Sequence, residues 1–223
     1  MTDKDSRSPS IAGVAAVILA GGEGSRLGGA IKALLEVGGH TLLDRVMERL
    51  GAEASPILVA HGRIDPAVLQ LPPGLLAVAD LEGDVRGPLA GLAAAVAQLS
   101  TRRQAPEFLV SAAVDTPFLP HDFVSRLVAA AQASGTAAVL ATSDGQDYPT
   151  NALWRLDALT TLPQRVGNGT APRGLKGLAA ELGALRAAWQ AGPEGDPFAN
   201  ANTPAELAAL RLRAAQFPEA GAD

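Results

Sequence analysis

The chain has 223 residues, and its 48% hydrophobic content is enough to bury one substantial core. Its formal net charge of −5 argues against a nucleic-acid surface, which is usually basic. The absence of cysteine excludes disulfides and thiolate metal sites, which leaves a hard cation held by oxygen, such as Mg²⁺. No apolar run approaches the roughly 20 residues that span a bilayer. We expect a cytoplasmic protein with neither nucleic-acid nor membrane partners.

Short apolar segments alternate with helical patterns along the chain. This alternation predicts an α/β fold of three layers, doubly wound, with a mostly parallel sheet of about seven strands and helices on both faces. One domain is expected at residues 11–216, with disordered tails at 1–10 and 217–223. The predicted strands are 15–19, 56–60, 75–79, 107–114, 137–141, 150–154 and 184–189. The predicted helices are 41–50, 88–99, 122–133, 174–182 and 204–215.

A glycine-rich loop follows the first predicted strand. Gly21 and Gly22 allow backbone N–H groups to approach a ligand closely, and Arg26 and Lys32 supply two cations. The loop is not a Walker P-loop, because Ala-Ile separates its last glycine from the lysine and Ala follows. It is not a dinucleotide fingerprint either, because Leu27 stands at the third glycine position. A different kind of nucleotide-phosphate loop remains.

Further polar motifs follow at or near the ends of the later predicted elements. They are Asp80 after a strand, Gly-Pro-Leu-Ala-Gly at 87–91, Asp-Thr-Pro-Phe-Leu-Pro at 115–120, Tyr-Pro-Thr at 148–150 and Asn-Ala-Asn-Thr-Pro at 200–204. With the glycine loop, they resemble the nucleotidyltransferase superfamily and, within it, the molybdenum cofactor guanylyltransferases. The resemblance covers about residues 12–212. The loop, the lysine and Asp-x-Pro are shared across the superfamily, whereas the segments at 87–91 and 200–204 indicate the cofactor branch.

The resemblance implies a nucleotide-diphospho-sugar transferase-like fold and transfer of GMP from GTP to molybdopterin or Mo-molybdopterin, with Mg²⁺. It implies catalytic roles for Lys32, Arg26 and Asp115, with Asp115 also as metal ligand. The implied nucleotide-binding residues are Leu19, Ala20, Gly21, Gly22, Gly24, Ser25, Lys32, Asp80 and Asp115. The implied acceptor-binding residues are Asn200, Asn202, Arg173 and Tyr148. Other molybdenum cofactor synthesis proteins are candidate partners, although no motif indicates such a contact.

The polar matches should lie at one rim of the sheet. Gly21, Asp80 and Asp115 each follow the end of a predicted strand, and ligands of open α/β sheets bind at the carboxyl ends of strands. Plainer roles are a turn carboxylate for Asp115 and a surface lysine for Lys32. A cation that opens a helix opposes the helix dipole, which favours a ligand role for Lys32.

Other side chains are better explained by packing and turns. Trp154 and Trp189 lie inside apolar strand patterns, which indicates core packing rather than base stacking. His40 and His61 are expected in loops and on the surface rather than in catalysis.

Two positions depart from the family pattern. The usual Asp-Lys pair reads Ile31-Lys32, and the guanine-contacting Asn corresponds to Ala60. Two enzymatic alternatives therefore stay open, a cytidylyltransferase and a guanylyltransferase that acts on another phosphorylated cofactor precursor. A catalytically weak nucleotide-binding homologue is the third alternative.

Overall fold

The structure is a computed structural model that describes residue 11, residues 13–81 and residues 87–217. Of the tails expected at 1–10 and 217–223, every residue except Phe217 lies outside these ranges. Phe217 is the C-cap of the last helix, and its N–H donates to the carbonyl of Arg213 at 2.9 Å. Within the described ranges, no helix combines the length and hydrophobicity that a membrane span requires.

A central sheet of seven strands confirms the predicted fold class. The strands are β1 (Val14–Leu19), β2 (Ile57–Gly62), β3 (Leu76–Ala79), β4 (Phe108–Ala113), β5 (Ala138–Ser143), β6 (Gln146–Arg155) and β7 (Leu185–Trp189). Their spatial order is β7-β5-β6-β4-β1-β2-β3. Strand β6 runs antiparallel to β4 and β5, and every other pairing is parallel.

Strand β6 begins earlier than the predicted strand at 150–154. Residues Gln146 to Tyr148 pair with the end of β5, across a two-residue turn in which Asp144 and Gly145 have φ of 47° and 83°. The Asp-Gly sequence is typical of such hairpin turns. The first residues of β6 were not predicted as strand, because polar residues and Pro149 occur there and proline is confined to bulges and edges within a sheet. The pairing with β5 does shift register between Tyr148 and Ala152.

Six α-helices connect and flank the strands within the described ranges. They are α1 (Leu42–Gly51), α2 (Pro88–Ser100), α3 (Phe123–Ser134), α4 (Leu162–Gly167), α5 (Gly174–Glu181) and α6 (Pro204–Gln216). Helix α4 was not predicted, because six residues are too few for a recognisable helical period. Helix α6 starts with a capping box in which the Thr203 hydroxyl accepts from the N–H of Glu206.

The core lies in two layers, one on each face of the sheet. All six residues of β1 are buried, as expected for a parallel strand covered by helices on both sides. Ile18 packs in the cluster that includes α1 and α3, whereas Val17 packs with α2, α4 and α5. Trp154 is fully buried in the second layer and donates its indole N–H to Ser111 Oγ at 3.0 Å. The prediction that Trp154 serves packing is confirmed.

An aromatic cluster packs the segment after β7 against the sheet and α3. It consists of Phe123, Tyr148, Trp189 and Phe198. The ring centroid of Phe198 lies 5.0 Å from that of Tyr148, 5.3 Å from that of Trp189 and 6.0 Å from that of Phe123. The Trp189 indole N–H donates to Asp122 Oδ1 at 2.9 Å, so this tryptophan also serves packing. The cluster holds the chain immediately before residues 200–202.

We predict that Phe198→Ala lowers the free energy of unfolding by about 3–5 kcal/mol, because it empties a fully buried aromatic site. Urea denaturation measures this change. Phe217→Ala is the matched control, since Phe217 is 37% exposed and its loss should cost less than about 1 kcal/mol. Equal losses from the two variants would show that the cluster does not anchor the segment.

Candidate functional site

The glycine loop after β1 is a closed hairpin. Residues Glu23–Gly24 pair antiparallel with Ala30–Ile31, and a 3-10 turn at Ser25–Leu27 lies between them. A Cβ atom added at Gly24 would lie 2.2 Å from the carbonyl oxygen of Ala30, so no larger residue fits there. The closed hairpin therefore requires glycine at this position, and glycine leaves backbone N–H groups accessible to a ligand.

The start of the loop crosses the end of β2. A Cβ atom added at Gly21 would lie 2.8 Å from Gly62 Cα, and Gly62 itself has φ of +60°. Because both neighbours are backbone, neither can move aside cheaply. Ala20 is fully buried, and its N–H donates to the carbonyl of Ala60 at 2.8 Å. The backbone of this segment is thereby fixed at the carboxyl rim of the sheet.

Lys32 brings two distant segments together. Its Nζ donates to Asp115 Oδ2 at 2.7 Å and to Asn202 Oδ1 at 2.5 Å. The side chains of Lys32 and Asp115 are only 11% and 15% exposed. Asp115 and Asn202 lie 83 and 170 residues after Lys32. Three residues selected from the sequence are therefore in direct contact.

Asp115 and Asn202 are also linked through their backbones. The N–H of Ala201 donates to the carbonyl of Asp115 at 3.2 Å. On the other side, a single Glu206 carboxylate oxygen accepts the N–H groups of Asn202 and Thr203, each at 2.8 Å. The hydrogen bond from the Asn202 N–H is the largest cause that lowers the pKa of Glu206 from its ordinary value. The contacts with Thr203 and the positive charge of Lys32 add to this shift.

A cleft of about 290 Å³ opens where the loop and the strand ends meet. Strands β2 and β3 lie on one side of β1, and β4 lies on its other side, so the strand order reverses at β1. The cleft lies at this reversal point, which is the usual ligand position in such sheets. The predicted site residues that line it are Leu19, Gly21, Gly22, Lys32, Asp80, Asp115, Asn200 and Asn202. The expected convergence of Gly21, Asp80 and Asp115 is confirmed.

Other predicted site residues lie outside the cleft lining. Arg26 is exposed on the 3-10 turn of the loop, and Gly24 and Ser25 contribute backbone to the same hairpin. Arg173 is exposed at the start of α5. Tyr148 packs in the aromatic cluster, where its hydroxyl donates to Asp196 Oδ2. Burial, with this Asp196 contact, raises the pKa of the Tyr148 hydroxyl far above its ordinary value.

The cleft also contains residues of two predicted motifs that were not themselves predicted as site residues. Gly87 is the N-cap of α2, Pro88 and Gly91 lie in the first turn of this helix, and Thr150 comes from β6. A Cβ atom added at Gly91 would lie 2.9 Å from the Ala60 Cβ atom, so helix and strand approach closely here. The Gly-Pro-Leu-Ala-Gly motif was part of the family resemblance, but the resemblance did not indicate which of its residues line the cleft.

Asp80 is the second carboxylate of the cleft, at the side of Ala60 and Gly91. A Cβ atom at Gly91 would lie 3.3 Å from Asp80 Oδ1. Burial raises the pKa of Asp80 above its ordinary value, and the nearby His61 partly opposes this shift. His61 is itself engaged locally, since its Nδ1 contacts the carbonyl of Ile64 at 2.6 Å. It is a buried strand residue rather than the loop or surface residue that we expected, because it still belongs to β2.

The departure at Ile31 has a structural explanation. The Ile31 backbone pairs with Glu23, and its side chain is half-buried against the core cluster of α1 and α3. In this chain, the position before Lys32 therefore supplies apolar packing rather than a carboxylate.

The donor set of the cleft fits a hard cation. Asp115 Oδ2 and Asn202 Oδ1 already share one cation, the Lys32 ammonium. Within the part of the chain that the structure describes, no group of three or more His, Asp and Glu could hold a metal by itself. One carboxylate combined with substrate phosphates is how Mg²⁺ usually binds in nucleotide enzymes. A divalent cation at Asp115 would thus depend on a bound phosphate.

Comparison with known proteins agrees with this geometry. Residues 16–186 match the family described as MobA-like NTP transferase domain. The chain is 36% identical over 208 residues to the molybdenum cofactor guanylyltransferase of Bradyrhizobium sp. (strain ORS 278), which covers 93% of this chain and 96% of that relative.

Solved structures share the fold. Molybdopterin-guanine dinucleotide biosynthesis protein A from Archaeoglobus fulgidus has a TM-score of 0.69 at 21% identity, covering 92% of this chain and 100% of that one. A manganese complex of Rv0371C from Mycobacterium tuberculosis H37Rv has a TM-score of 0.65 at 15% identity, covering 91% of this chain and 100% of that one. At these identities the likeness concerns the fold.

We predict that Asp80→Asn raises the melting temperature of the ligand-free protein at pH 7, because the ionised carboxylate is disfavoured by burial. Since the folded-state pKa of Asp80 is raised, this gain is full above that pKa and fades as the pH falls toward the ordinary value of 3.8. Thermal denaturation of both proteins between pH 4 and 8 measures the difference. A variant that melts lower than the wild type at pH 7 would contradict the assignment.

Proposed function

Because the chain belongs to the MobA-like NTP transferase family, we propose that it transfers GMP from GTP to the phosphate of molybdopterin or Mo-molybdopterin. The reaction releases pyrophosphate and forms molybdopterin guanine dinucleotide. The observation that carries the proposal is the contact of Lys32 with Asp115 and Asn202, at the mouth of a glycine loop that larger residues cannot form.

The proposed reaction is an in-line displacement at the α-phosphorus of GTP. The acceptor phosphate is already ionised at neutral pH, so it attacks without a general base, and pyrophosphate leaves with the electrons of the broken P–O bond. No covalent enzyme intermediate is needed. Catalysis then rests on positioning and on compensating the charge of the transferring group.

Lys32 is the cation that compensates this charge. Its side chain is nearly buried, and its ammonium is held by two side-chain oxygens. A fixed cation in a poorly solvated site stabilises developing charge more strongly than a mobile surface lysine does. The N–H groups of the Gly21-Gly22 segment stand at the same mouth and suit the remaining phosphate oxygens. Arg26, exposed on the loop, stays a prediction as an assisting cation.

Asp115, with the amide oxygen of Asn202, would hold Mg²⁺ together with the phosphates of GTP. When bound, Mg²⁺ would orient the triphosphate and neutralise part of its charge. The manganese in the complex of Rv0371C supports a divalent cation in this fold, and Mg²⁺ itself is our proposal.

We assign the nucleoside to the other side of the cleft, toward Asp80. Ala60 and Gly91 offer small side chains there, and Asp80 is a carboxylate that can accept hydrogen bonds from a base or ribose. We assign the base as guanine because the relatives are named guanylyltransferases. Ala60 lacks the amide of the family Asn, which keeps a cytosine nucleotide as the second candidate.

We assign the acceptor to the region between β6 and the segment after β7. Asn200, Asn202 and Thr150 line that part of the cleft and offer hydrogen-bonding groups. We keep Arg173 as a predicted phosphate contact from the start of α5. Tyr148, in contrast, is better placed to support this segment through Asp196 and Phe198 than to contact the acceptor.

The assay that tests this function uses GTP labelled at the α-phosphate, Mg²⁺ and molybdopterin. The proposal predicts labelled guanine dinucleotide together with an equal amount of pyrophosphate. Labelled product from CTP instead would make the protein a cytidylyltransferase. Nucleotide binding without product from either substrate would indicate a catalytically weak homologue or another acceptor, and would refute the proposed reaction.

We predict that Asp115→Asn and Lys32→Met each reduce turnover by about 100-fold or more, as expected when a charge that stabilises the transition state is removed. Steady-state pyrophosphate release measures the loss. Asp157→Asn is the control, because Asp157 is 72% exposed and its contact with Arg155 contributes little. Wild-type turnover in either site variant would remove that residue from the mechanism.

A further inference from the structure

We propose that Asn151 is a positioning residue, whose buried amide fixes the turn that carries Asp115. The inference rests on the proposed function, because it concerns how Asp115 is held for a metal and phosphate. No motif had singled out this residue. It follows Tyr-Pro-Thr in β6 and is fully buried.

Asn151 stands where the two strands stop pairing. The ladder between β6 and β4 ends with the pair Ala152 and Ser111. The register of β6 against β5 also shifts between Tyr148 and Ala152, which places Asn151 in the irregular stretch. Beyond this point β4 continues to Ala113, whose partner in the parallel ladder on its other side is Leu19. The N–H of Ala113 toward β6 consequently has no ladder partner.

The Asn151 side chain takes the place of the missing ladder bond. Its Oδ1 accepts the N–H of Ala113 at 2.9 Å, and Thr116 Oγ1 lies 3.4 Å from the same oxygen. The Thr116 hydroxyl donates to the carbonyl of Ala113 at 2.8 Å, and the Thr116 N–H reaches that carbonyl at 3.2 Å. Asn151 therefore holds both ends of the tight turn from 113 to 116.

Asp115 lies inside this turn. Its carboxylate contacts Lys32, and its carbonyl accepts the N–H of Ala201. A shift of the turn would therefore move the carboxylate relative to Lys32 and Asn202. Backbone hydrogen bonds alone leave the β6 side of the turn open, so the Asn151 amide is the contact that closes it.

The amide of Asn151 is retained at a cost. Within the described part of the chain, its Nδ2 atom is buried without a hydrogen-bond partner. Such a buried group is destabilising, and an apolar side chain of similar volume would avoid the penalty. That side chain would, however, leave the Ala113 N–H unpaired. The carbonyl oxygen is thus the part of the side chain that the turn requires.

Two variants and one matched control test the inference. Asn151→Leu removes the hydrogen-bond acceptor of Ala113 at nearly constant side-chain volume. Thr116→Val removes only a hydroxyl of the same turn, so the inference can still be tested if Asn151→Leu does not fold. Ser111→Ala is the control, because it removes another buried polar contact of β4, the acceptor for the Trp154 indole, two residues before Ala113. Circular dichroism and melting temperature establish that each variant is folded.

The first readout is Mn²⁺ affinity in the presence of GTP, measured from the free Mn²⁺ signal in electron paramagnetic resonance. The second is turnover, separated into kcat and KM for GTP. We expect Asn151→Leu and Thr116→Val to weaken Mn²⁺ binding and lower kcat by about 10-fold or more, the usual effect of removing a group that orients a metal ligand. Ser111→Ala should melt lower and keep wild-type Mn²⁺ affinity.

The outcomes separate this inference from the function on which it rests. Folded Asn151→Leu and Thr116→Val proteins with wild-type Mn²⁺ affinity and kcat would overturn the inference alone. An equal loss in Ser111→Ala would overturn it as well, since general destabilisation would then explain the effect. A wild-type protein that neither binds Mn²⁺ with GTP nor releases pyrophosphate would refute the proposed function, and the inference with it.

Discussion

The Lys32 ammonium is held by hydrogen bonds to side-chain oxygens of two segments that are remote in the sequence. Asp115 Oδ2 and Asn202 Oδ1 accept hydrogen bonds from it at 2.7 and 2.5 Å, and the ion pair with Asp115 is largely shielded from water. A lysine in such surroundings needs partners that are held in place, because an unpaired buried charge is strongly disfavoured. The loop after β1, the turn after β4 and the segment before α6 must therefore all keep fixed positions.

The fold supplies these positions with different devices. The loop is fixed by close backbone approaches, at Gly24 against Ala30 and at Gly21 against Gly62. The segment before α6 is fixed by the aromatic cluster around Phe198 and by the capping box of Glu206. The turn of Asp115 is fixed by side-chain hydrogen bonds. Rigid elements thus surround a small polar cluster, which is the arrangement that catalysis by positioning requires.

Much of this could be predicted from the sequence, because the determining signals are local. A β-branched run without polar residues marks β1 as buried on both faces, and the polar residues that follow β1, β3 and β4 must meet at one rim. Lys32, Asp115 and Asn202 also belong to the family motifs found in the sequence. The N-cap of α6 was predictable for the same local reason, since Thr203, Pro204 and Glu206 are adjacent in the chain.

What escaped prediction depends on contacts between distant segments. Acceptor binding by Tyr148 stays a prediction, but its contacts with Asp196 and Phe198 could not be predicted, because these residues lie about fifty positions later in the chain. Asn151 has no local signal at all, because its role arises only where β6 leaves its register beside β4. The same irregularity, with Pro149 inside it, concealed the first residues of β6. In each of these cases, contacts between distant segments determined the local structure more strongly than the local sequence pattern did.

The most direct test of this account is a crystal structure of the protein with Mn²⁺ and a GTP analogue that has a methylene group between its α- and β-phosphorus atoms. Anomalous scattering from manganese locates the metal independently of the rest of the density. The account predicts a manganese peak at the Asp115 carboxylate, with the triphosphate across the Gly21-Gly22 segment and Lys32 on a phosphate oxygen. Manganese and triphosphate bound away from an intact Lys32–Asp115 pair would contradict it.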